Sequence, residues 1–339
     1  MSAPDLRPSG QGLDADPQLS VTVVVCAYTE ARWLQTRAAL ESVLSQVPRP
    51  AQVLLVVDYN PGLALRARQE VPQVTVLENT GSKGLSGARN TGLGNATGAV
   101  TVFLDDDAEA RPGWLASLVE PYRNLEVVAT GGSVHPRWPG SRPRWFPYTF
   151  DWVVGCSYVG MPAGGGAIRN PIGANMSMRT RHARAVGGFD TGIGRVDSHP
   201  RGCEETELSI RLTESQVGST IWYVPAAAVD HHVSRDRLTV RYFLRRCWHE
   251  GRSKADVVRL TSASAGLAAE RRHAASVIPA GILRDVRASL TGDIAGLSRA
   301  AAASGGLAAT TAGYLTGRLG QSVGGRRRRA EDAPGAMEV

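Results

Sequence analysis

The sequence contains little cysteine, and its cysteines do not pair along the chain. Four are present, at Cys26, Cys156, Cys203 and Cys247, and none belongs to a C-x-x-C motif. This spacing excludes the common zinc-site patterns and gives no disulfide framework. We therefore expect reduced, structural thiols and a cytoplasmic protein.

The beginning of the chain lacks the apolar segment of a signal peptide. Residues 1–19 are rich in Pro, Gly and Asp and contain no apolar run. This composition is typical of a disordered leader and does not indicate secretion. The first domain is predicted to begin at residue 20.

Charge is lacking from one long stretch near the end of the chain. No residue between Arg299 and Arg318 is charged, over roughly the length of a membrane span. Ala, Gly and Thr dominate this stretch, so its insertion across a bilayer would be weakly driven. Residues 236–322 are predicted to form first a basic helix and then Ala/Gly-rich helices that lie on or dip into a membrane. A soluble helical hairpin packed on the domain is the alternative.

Acidic residues are fewer than basic ones: 31 Asp and Glu stand against 38 Lys and Arg, for a formal net charge of +7. Much of the excess follows Arg235 and includes the run Arg326–Arg329. Such a run suits an anionic membrane surface, and a solvated tail explains it equally well. Residues 323–339 are predicted to be a disordered basic tail. Aromatic residues do not alternate with basic ones, so no nucleic-acid partner is expected.

The rest of the chain alternates between strand-like and helix-like segments. Short apolar runs predict strands at Val21–Tyr28, Gln52–Tyr59, Gln73–Asn79, Ala99–Asp105 and Ile172–Met178. Such strands, separated by helices, predict an α/β domain at residues 20–235 with a mostly parallel sheet covered on both faces. Ligands of these sheets bind beyond the carboxyl ends of the strands. The stretch Ser133–Asn170, rich in Pro, Gly, Trp and Arg, is predicted to be a long functional loop.

Three consecutive aspartates follow the fourth predicted strand. A strand end puts alternate residues on one side, so we expect Asp105 and Asp107 to converge and Asp106 to diverge. Mg²⁺ and Mn²⁺ are usually held by one or two carboxylates together with substrate phosphates. The triplet therefore indicates a metal or nucleotide site. A cap or turn before Pro112 would need only one aspartate.

Two further features are predicted at the same edge of the sheet. Asp58 ends the second strand, where its carboxylate can accept hydrogen bonds from a nucleotide base or ribose. The segment Gly81–Gly98 is a glycine-rich turn that enters a helix and carries Lys83 and Arg89. Backbone N–H groups and cations in such a turn suit a pyrophosphate.

A set of short motifs, taken in order, resembles glycosyltransferase family 2. The set is VVVCAYTEARWL, Asp58, GLSGARNTGL, FLDDDA, GANMSMR, GGFD and EETELSIRL, within residues 21–233. The resemblance implies the GT-A fold, a nucleotide-diphosphate sugar as donor, a divalent metal ion (Mn²⁺ or Mg²⁺) and inversion of the anomeric configuration.

The resemblance also implies roles for residues on the donor side. The nucleotide would be bound by Ala27, Tyr28 and Glu30 around the base, Asp58 on the base, and Lys83 and Arg89 near the ribose and phosphates. Asp105 and Asp107 would form the D-x-D motif, with Asp107 as the direct metal ligand. Asp106 is grouped with the nucleotide-binding residues but is expected to tolerate replacement better. The sequence Asp58-Tyr59-Asn60-Pro61 departs from the family's usual Asp-Asp/Asn-x-Ser, so the neighbours of Asp58 receive no role.

A second acidic pair, Glu204-Glu205, opens a predicted helix. Acidic residues in a first turn stabilise the helix dipole, which is one sufficient explanation. Inverting transfer to a hydroxyl also needs a base that takes the acceptor proton. The family has a Glu-Asp pair here, so the resemblance implies Glu205 as the base, with Glu204 as the second choice. A phosphate acceptor would need no base, and we therefore favour a hydroxyl acceptor.

The remaining resemblances concern the acceptor and the diphosphate. Asn175 would meet sugar hydroxyls, and His231 and Arg252 would meet the pyrophosphate. A solvated basic helix is the alternative explanation for His231 and Arg252. The Gln-x-x-Arg-Trp motif of processive polysaccharide synthases is absent; the nearest counterpart is Arg246-Cys247-Trp248. The segment EGRSKA instead resembles non-processive members that act on lipid-linked glycans.

Together these features predict an inverting glycosyltransferase with a uridine-linked sugar donor. The acceptor would be a lipid-linked glycan or polysaccharide precursor, and the protein would lie peripherally on the inner face of the cell membrane. Three alternatives remain. A polyprenyl-phosphate monosaccharide synthase would use a phosphate acceptor. A sugar nucleotidyltransferase would need a basic glycine-rich loop after the first strand, which is missing. A non-enzymatic membrane adaptor would leave Glu205 and the aspartates unexplained.

Overall fold

The computed structural model of the chain describes residues 19–192, 202–260, 271 and 273–331, with Leu260 and residues 320–331 described by their backbone only. The predicted leader, apart from its last residue, lies outside the described residues. So does the end of the predicted tail, from residue 332 onward.

Nine strands of the described residues form one sheet. The strands are β1 Val21–Ala27, β2 Gln52–Val57, β3 Thr75–Glu78, β4 Val100–Asp105, β5 Ala108–Ala110, β6 Val127–Arg137, β7 Gly166–Ile168, β8 Asn175–Arg179 and β9 Thr220–His232. Their order is β3-β2-β1-β4-β8-β6-β9-β5, and β7 also pairs with β9.

The sheet is mixed. The half formed by β3, β2, β1 and β4 is parallel, as expected from apolar strands joined by helices. Beyond β4, strand β8 runs antiparallel to both of its neighbours, and β5 and β7 run antiparallel to β9. The predicted α/β class is therefore observed, but "mostly parallel" describes only the first half of the sheet.

The helices of the described residues cover both faces of the sheet. They are α1 Trp33–Leu44, α2 Pro61–Glu70, α3 Leu85–Asn95, α4 Trp114–Val119, α5 Thr180–Ala185, α6 Glu204–Glu214, α7 Val240–Leu260, α8 Ile278–Leu290 and α9 Ala295–Glu331. Alternate residues of β1 divide between two cores: Val23 and Val25 pack with α1, α2, α4 and α7, and Val24 packs with α3, α5 and α6.

One predicted loop is partly a strand. Strand β6 continues from Ser133 to Arg137, where it pairs in parallel with β9, and β7 lies near the end of the same stretch. Pro136 and the glycines nearby disfavour a strand locally, but pairing with a long neighbouring strand outweighs this local preference. The prediction of a single loop over Ser133–Asn170 is therefore wrong.

The last described helix extends into the predicted basic tail. The described backbone of α9 continues through Arg326–Arg329 to Glu331, and the disordered tail over residues 323–339 stays a prediction. No proline occurs between Pro279 and Pro334, and arginine is a good helix former. Among the described residues, none of the helices combines the length and the apolar content needed to cross a membrane.

Glycines allow α9 to pack directly against α7. A Cβ atom on Gly313 would overlap the carbonyl oxygen of Trp248, and one on Gly251 would overlap that of Thr310. A Cβ atom on Gly306 would lie 2.7 Å from Phe150 Cε1 and 2.9 Å from the ring of Phe243. On this face of α9 the Ala/Gly-rich composition therefore serves contact between helices.

This packing gives a stability prediction with a matched control on the same helix. Gly313→Ala is expected to destabilise the protein by about 1–3 kcal/mol because the added methyl group forces α7 and α9 apart. At Gly305 the nearest atom to an added Cβ is the flexible Leu244 Cδ2, at 3.6 Å. Gly305→Ala is therefore expected to stabilise the helix by up to about 1 kcal/mol. Chemical denaturation measures both, and equal midpoints for the two variants would contradict the packing argument.

Candidate active site

Asp58 holds the glycine-rich turn at the carboxyl end of the parallel strands. Its Oδ1 accepts a hydrogen bond from Asn79 Nδ2 at 2.6 Å, and its Oδ2 accepts one from the backbone N–H of Gly84 at 3.0 Å. Gly84 has φ 113°, a conformation that favours glycine, and α3 begins directly after it. The carboxylate thus fixes the turn that the sequence analysis connected with a pyrophosphate.

The residues predicted to contact the base and ribose lie around this turn. Ala27 is buried, and its carbonyl accepts the backbone N–H of Asp58 at 2.8 Å. Tyr28, Glu30 and Lys83 are exposed. An open edge with polar side chains over a buried backbone is compatible with nucleotide binding.

Asp105, Asp107 and His231 form a cluster whose ligand atoms lie within 4.8 Å of one another. Asp107 Oδ1 lies 3.1 Å from His231 Nε2. The short strand β5 begins just after Asp107 and pairs with β9 so that Ala108 lies opposite His231. The expected convergence of Asp105 and Asp107 is therefore observed, and a histidine joins them.

Arg32 is a part of the site that the sequence analysis missed. Its Nη1 lies 2.9 Å from Asp106 Oδ1 and 3.1 Å from Asp107 Oδ2, and its Nη2 donates a hydrogen bond to the Tyr28 hydroxyl at 2.9 Å. The signal in the sequence was the position of Arg32. It follows β1, and the aspartates follow β4, the strand beside β1, so Arg32 and the aspartates lie at the same edge of the sheet.

The two buried aspartates differ in their charge. Burial, followed by the Asp107 carboxylate, raises the pKa of Asp106 to about 7. Burial also acts to raise the pKa of Asp107, but His231, Arg237 and Arg32 hold that pKa well below its usual range. Near neutral pH Asp107 is therefore ionised and Asp106 is partly protonated.

The cluster fits a divalent cation. Two carboxylates and an imidazole offer oxygen and nitrogen donors of the kind that Mn²⁺ accepts. The Asp105 side chain is 31% exposed, whereas those of Asp107 and His231 are buried. One side of the cluster is therefore open to a phosphate ligand, and three protein residues can hold the ion from the other side.

Arg89 connects the aspartate cluster to the second acidic pair. Its guanidinium lies 3.2 Å from Asp105 Oδ1 and 3.0 Å from Glu204 Oε1, and it donates a hydrogen bond to the Gly173 carbonyl at 3.1 Å. Arg89 is 2% exposed. Arg89 therefore bridges the two clusters from a buried position. Its predicted contact with the ribose or phosphate stays a prediction.

Glu205 lies in the first turn of α6 and is half-buried. Burial, followed by the negative charge of Glu204, raises its pKa to about 7. A carboxylate with this pKa can take a proton near neutral pH. Glu204 is buried, and only one of its carboxylate oxygens has a hydrogen-bond partner in the described structure.

Helix α7 contributes a charged face beneath the start of α6. Arg246 and Lys254 lie 2.9 and 3.3 Å from the two carboxylate oxygens of Glu250, which also accepts a hydrogen bond from Cys203 Sγ at 3.5 Å. Burial acts to raise the pKa of Glu250, but Lys254 and Arg246 lower it to about 2. These positions recur every four residues along α7, a pattern that the sequence analysis left unused.

Asn175 and Arg252 are the remaining predicted site residues, and Asn175 pairs with Leu104 beside the end of β4. Asn175 is fully buried: its Nδ2 donates to the carbonyls of Ser133 and Ala227, at 3.0 and 2.8 Å, and its Oδ1 accepts from Trp114 Nε1 at 2.8 Å. The amide of Asn175 is thus engaged inside the core, and its predicted contact with sugar hydroxyls stays a prediction. Arg252 is exposed on α7, with its Cα beside Gly317 of α9, away from the face that carries Glu250.

The fold and the carboxylate cluster define a GT-A glycosyltransferase. The chain belongs to glycosyltransferase family 2, whose model, described as "Glycosyl transferase family 2", matches residues 22–187. The chain is 34% identical over 240 residues to the glucosyl-dolichyl phosphate glucuronosyltransferase of Haloferax volcanii, an alignment that covers 70% of this chain and 76% of that protein. The predicted family and enzyme class are confirmed.

Solved structures confirm the GT-A fold. The mannosyltransferase PcManGT from Pyrobaculum calidifontis, in complex with GDP-Man and Mn²⁺, superimposes with a TM-score of 0.59 at 18% identity and covers 88% of this chain and 87% of its own. GalNAc-T7 with UDP, GalNAc and Mn²⁺ gives a TM-score of 0.51, also at 18% identity, and covers 76% of this chain and 54% of its own.

Proposed function

We propose that the protein is an inverting, metal-dependent glycosyltransferase that uses a nucleotide-diphosphate sugar, with uridine as the nucleotide. The acceptor would be a hydroxyl group of a lipid-linked glycan. The name of the Haloferax volcanii relative supports an acceptor of this kind. The proposal includes a peripheral position at the inner face of the cell membrane.

The observation that carries the proposal is the bridge made by Arg89 between Asp105 and Glu204. It joins a carboxylate–imidazole cluster suited to a diphosphate-bound cation to an acidic pair suited to proton transfer. The groups proposed to act on the donor and on the acceptor are thereby fixed relative to each other. Such fixed positioning supplies much of the rate acceleration in group transfer.

In the proposed reaction Glu205 accepts the proton of the attacking hydroxyl, which then displaces the diphosphate from the opposite face of the sugar carbon. A divalent cation held by Asp105, Asp107 and His231 would neutralise the charge of the leaving diphosphate. Arg32 keeps Asp107 oriented through the ion pair that it shares with Asp106. Tyr28, Glu30, Asp58 and Lys83 would surround the nucleotide.

The raised pKa of Glu205 favours a hydroxyl acceptor over a phosphate acceptor. A phosphate is already ionised near neutral pH and gains nothing from a base, whereas a sugar hydroxyl does. This consideration ranks a polyprenyl-phosphate monosaccharide synthase second. The nucleotidyltransferase and adaptor alternatives do not fit a member of glycosyltransferase family 2.

A ligand screen tests the donor part of the proposal. UDP-sugars, GDP-sugars and TDP-sugars are each added with and without Mn²⁺, and the unfolding temperature is measured. A UDP-sugar is expected to raise this temperature, more strongly with Mn²⁺, because a ligand that binds only the folded state stabilises it. Stabilisation by GDP-sugars alone would overturn the choice of uridine, and indifference to Mn²⁺ would overturn the metal assignment.

Transfer to a lipid-linked glycan, followed by determination of the anomeric configuration, then tests the acceptor and the inversion.

A further inference from the structure

Large apolar side chains are exposed along the outer side of α8 and α9. At the short turn between the two helices, Leu290 is 81% exposed, Ile294 78% and Leu297 57%. Farther along α9, Leu315 is 55% exposed and Leu319 66%. Single exposed leucines are ordinary, but a series on one pair of helices marks an interaction surface.

The outer side of α9 also lacks charge. Its exposed positions recur every three or four residues, which places them on one face of the helix: Leu297, Ala301, Ser304, Ala308, Thr311 and Leu315. No residue from 300 to 317 is charged, a length of about 27 Å of helix. The solvent-facing side of a helix in a soluble domain normally carries charged or polar residues. We call this face, together with Leu290 and Ile294, the docking face.

Positive charge borders the docking face. Arg284 and Arg287 are exposed on α8, and Arg318 is exposed on α9. The acidic residues nearby are neutralised: Asp285 and Asp293 accept hydrogen bonds from Arg299 at 3.1 and 2.6 Å. Arg284 also lies 3.6 Å from Asp285, and all three arginines remain exposed. An apolar strip bordered by exposed arginines is complementary to a bilayer surface that contains anionic lipids.

We propose that the docking face binds the surface of an anionic lipid bilayer, with α9 lying in the plane of the interface. A second copy of the chain suits the surface less well. A two-fold contact along this face would bring the bordering arginines of both copies together, and the small side chains between Leu297 and Leu315 offer little to interlock.

One short segment connects the docking face to the candidate active site. Thr149 packs against Gly281 of α8, and seven residues later Cys156 Sγ lies 3.7 Å from Nδ1 of His231. These contacts link α8 to the carboxylate–imidazole cluster. The docking itself does not rest on the proposed lipid-linked acceptor.

Co-sedimentation of the full chain with vesicles tests the proposal, without donor or acceptor. The wild-type protein is expected to bind vesicles of phosphatidylcholine and phosphatidylglycerol more strongly than vesicles of phosphatidylcholine alone. The double variant Leu290→Ser/Ile294→Ser is expected to lose at least about tenfold in vesicle affinity. Both side chains are exposed, so its unfolding temperature should stay unchanged. Arg284→Gln/Arg287→Gln is expected to weaken the preference for anionic vesicles, since Arg318 and the run Arg326–Arg329 remain.

The matched control replaces two equally exposed apolar residues elsewhere. Leu125 is 77% exposed and Val217 103%. They lie just before the starts of β6 and β9, at the sheet edge opposite the aspartates. Leu125→Ser/Val217→Ser should bind vesicles as the wild type does.

Three results would overturn the proposal. The first is a wild-type chain that does not sediment with anionic vesicles, and the second is undiminished binding by Leu290→Ser/Ile294→Ser. The third is a wild-type dimer in analytical ultracentrifugation that this variant converts to a monomer, since the face would then be a contact between copies. Donor hydrolysis by the same variant separates the two proposals. If the variant loses vesicle binding but still hydrolyses the donor, the docking face acts in membrane binding and not in catalysis. If the wild type does not hydrolyse the donor, the proposed function is overturned and the docking proposal is not.

Discussion

Asp107→Asn is expected to lower the rate of sugar transfer by roughly 10²–10³-fold, because stabilisation of the charge on the leaving diphosphate is lost. Asp107 is ionised, buried, and 3.1 Å from His231. The amide keeps the size of the side chain but removes the negative charge that a cation needs. Kinetics at several Mn²⁺ concentrations measure the effect, and the variant should require much more Mn²⁺ for half-maximal rate.

Asp106→Asn is the matched control, next to Asp107 and also in contact with Arg32. The amide oxygen can still accept a hydrogen bond from Arg32, and the pKa of about 7 means that Asp106 already carries a proton part of the time. The variant is therefore expected to lose less than about tenfold in rate. If it is as damaging as Asp107→Asn, the assignment of different roles to the alternating aspartates is wrong.

Glu205→Gln is expected to lower transfer to a hydroxyl acceptor by roughly 10²–10⁴-fold, the usual contribution of a general base. Stabilisation of the protein by the donor should remain, because the clusters that face the diphosphate are unchanged. Glu205→Asp should retain part of the rate, since it restores the residue that the family has here. Steady-state kinetics combined with donor thermal shifts distinguish loss of the base from loss of binding.

The pH profile separates Glu205 from Glu204. A base must be deprotonated to act, so a pKa of about 7 predicts that the rate falls as the pH drops below about 7. Glu204→Gln removes the negative charge that helps to raise this pKa, and the acid limb should move to lower pH. A profile in which Glu204→Gln abolishes the acid limb and Glu205→Gln only shifts it would reverse the roles.

The donor half of the site was largely predictable from the sequence. Apolar strands joined by helices predict parallel pairing, and parallel pairing brings the ends of β2 and β4 to one edge. Asp58 and Asp105 therefore had to lie there. The alternation of side chains at a strand end likewise predicted that Asp105 and Asp107 would converge. It also predicted that Asp106 would diverge, but β4 ends at Asp105, and Arg32 Nη1 contacts Asp106 and Asp107 together.

Contacts between residues that are distant in sequence could not be predicted. Arg89 suits a phosphate when only its own loop is considered, but in the fold it meets Glu204 and becomes a buried bridge. Asn175 suits a sugar on a strand end, but Trp114, Ser133 and Ala227 use its whole amide inside the core. Residue type and local position do not reveal which surface a neighbouring element will cover.

The sequence by itself determined the α/β half of the fold, the aspartate triplet at its edge and the acidic start of α6, because these follow from strand and helix periods within short segments. Only the tertiary structure decided what completes the site. The pairing of the three-residue β5 with β9 brings His231 to Asp107, and the packing of α7 beneath α6 puts Glu250 and Lys254 near Glu205. Such contacts depend on how whole helices and strands pack together. Burial of the two apolar cores governs that packing, and no local sequence pattern encodes it.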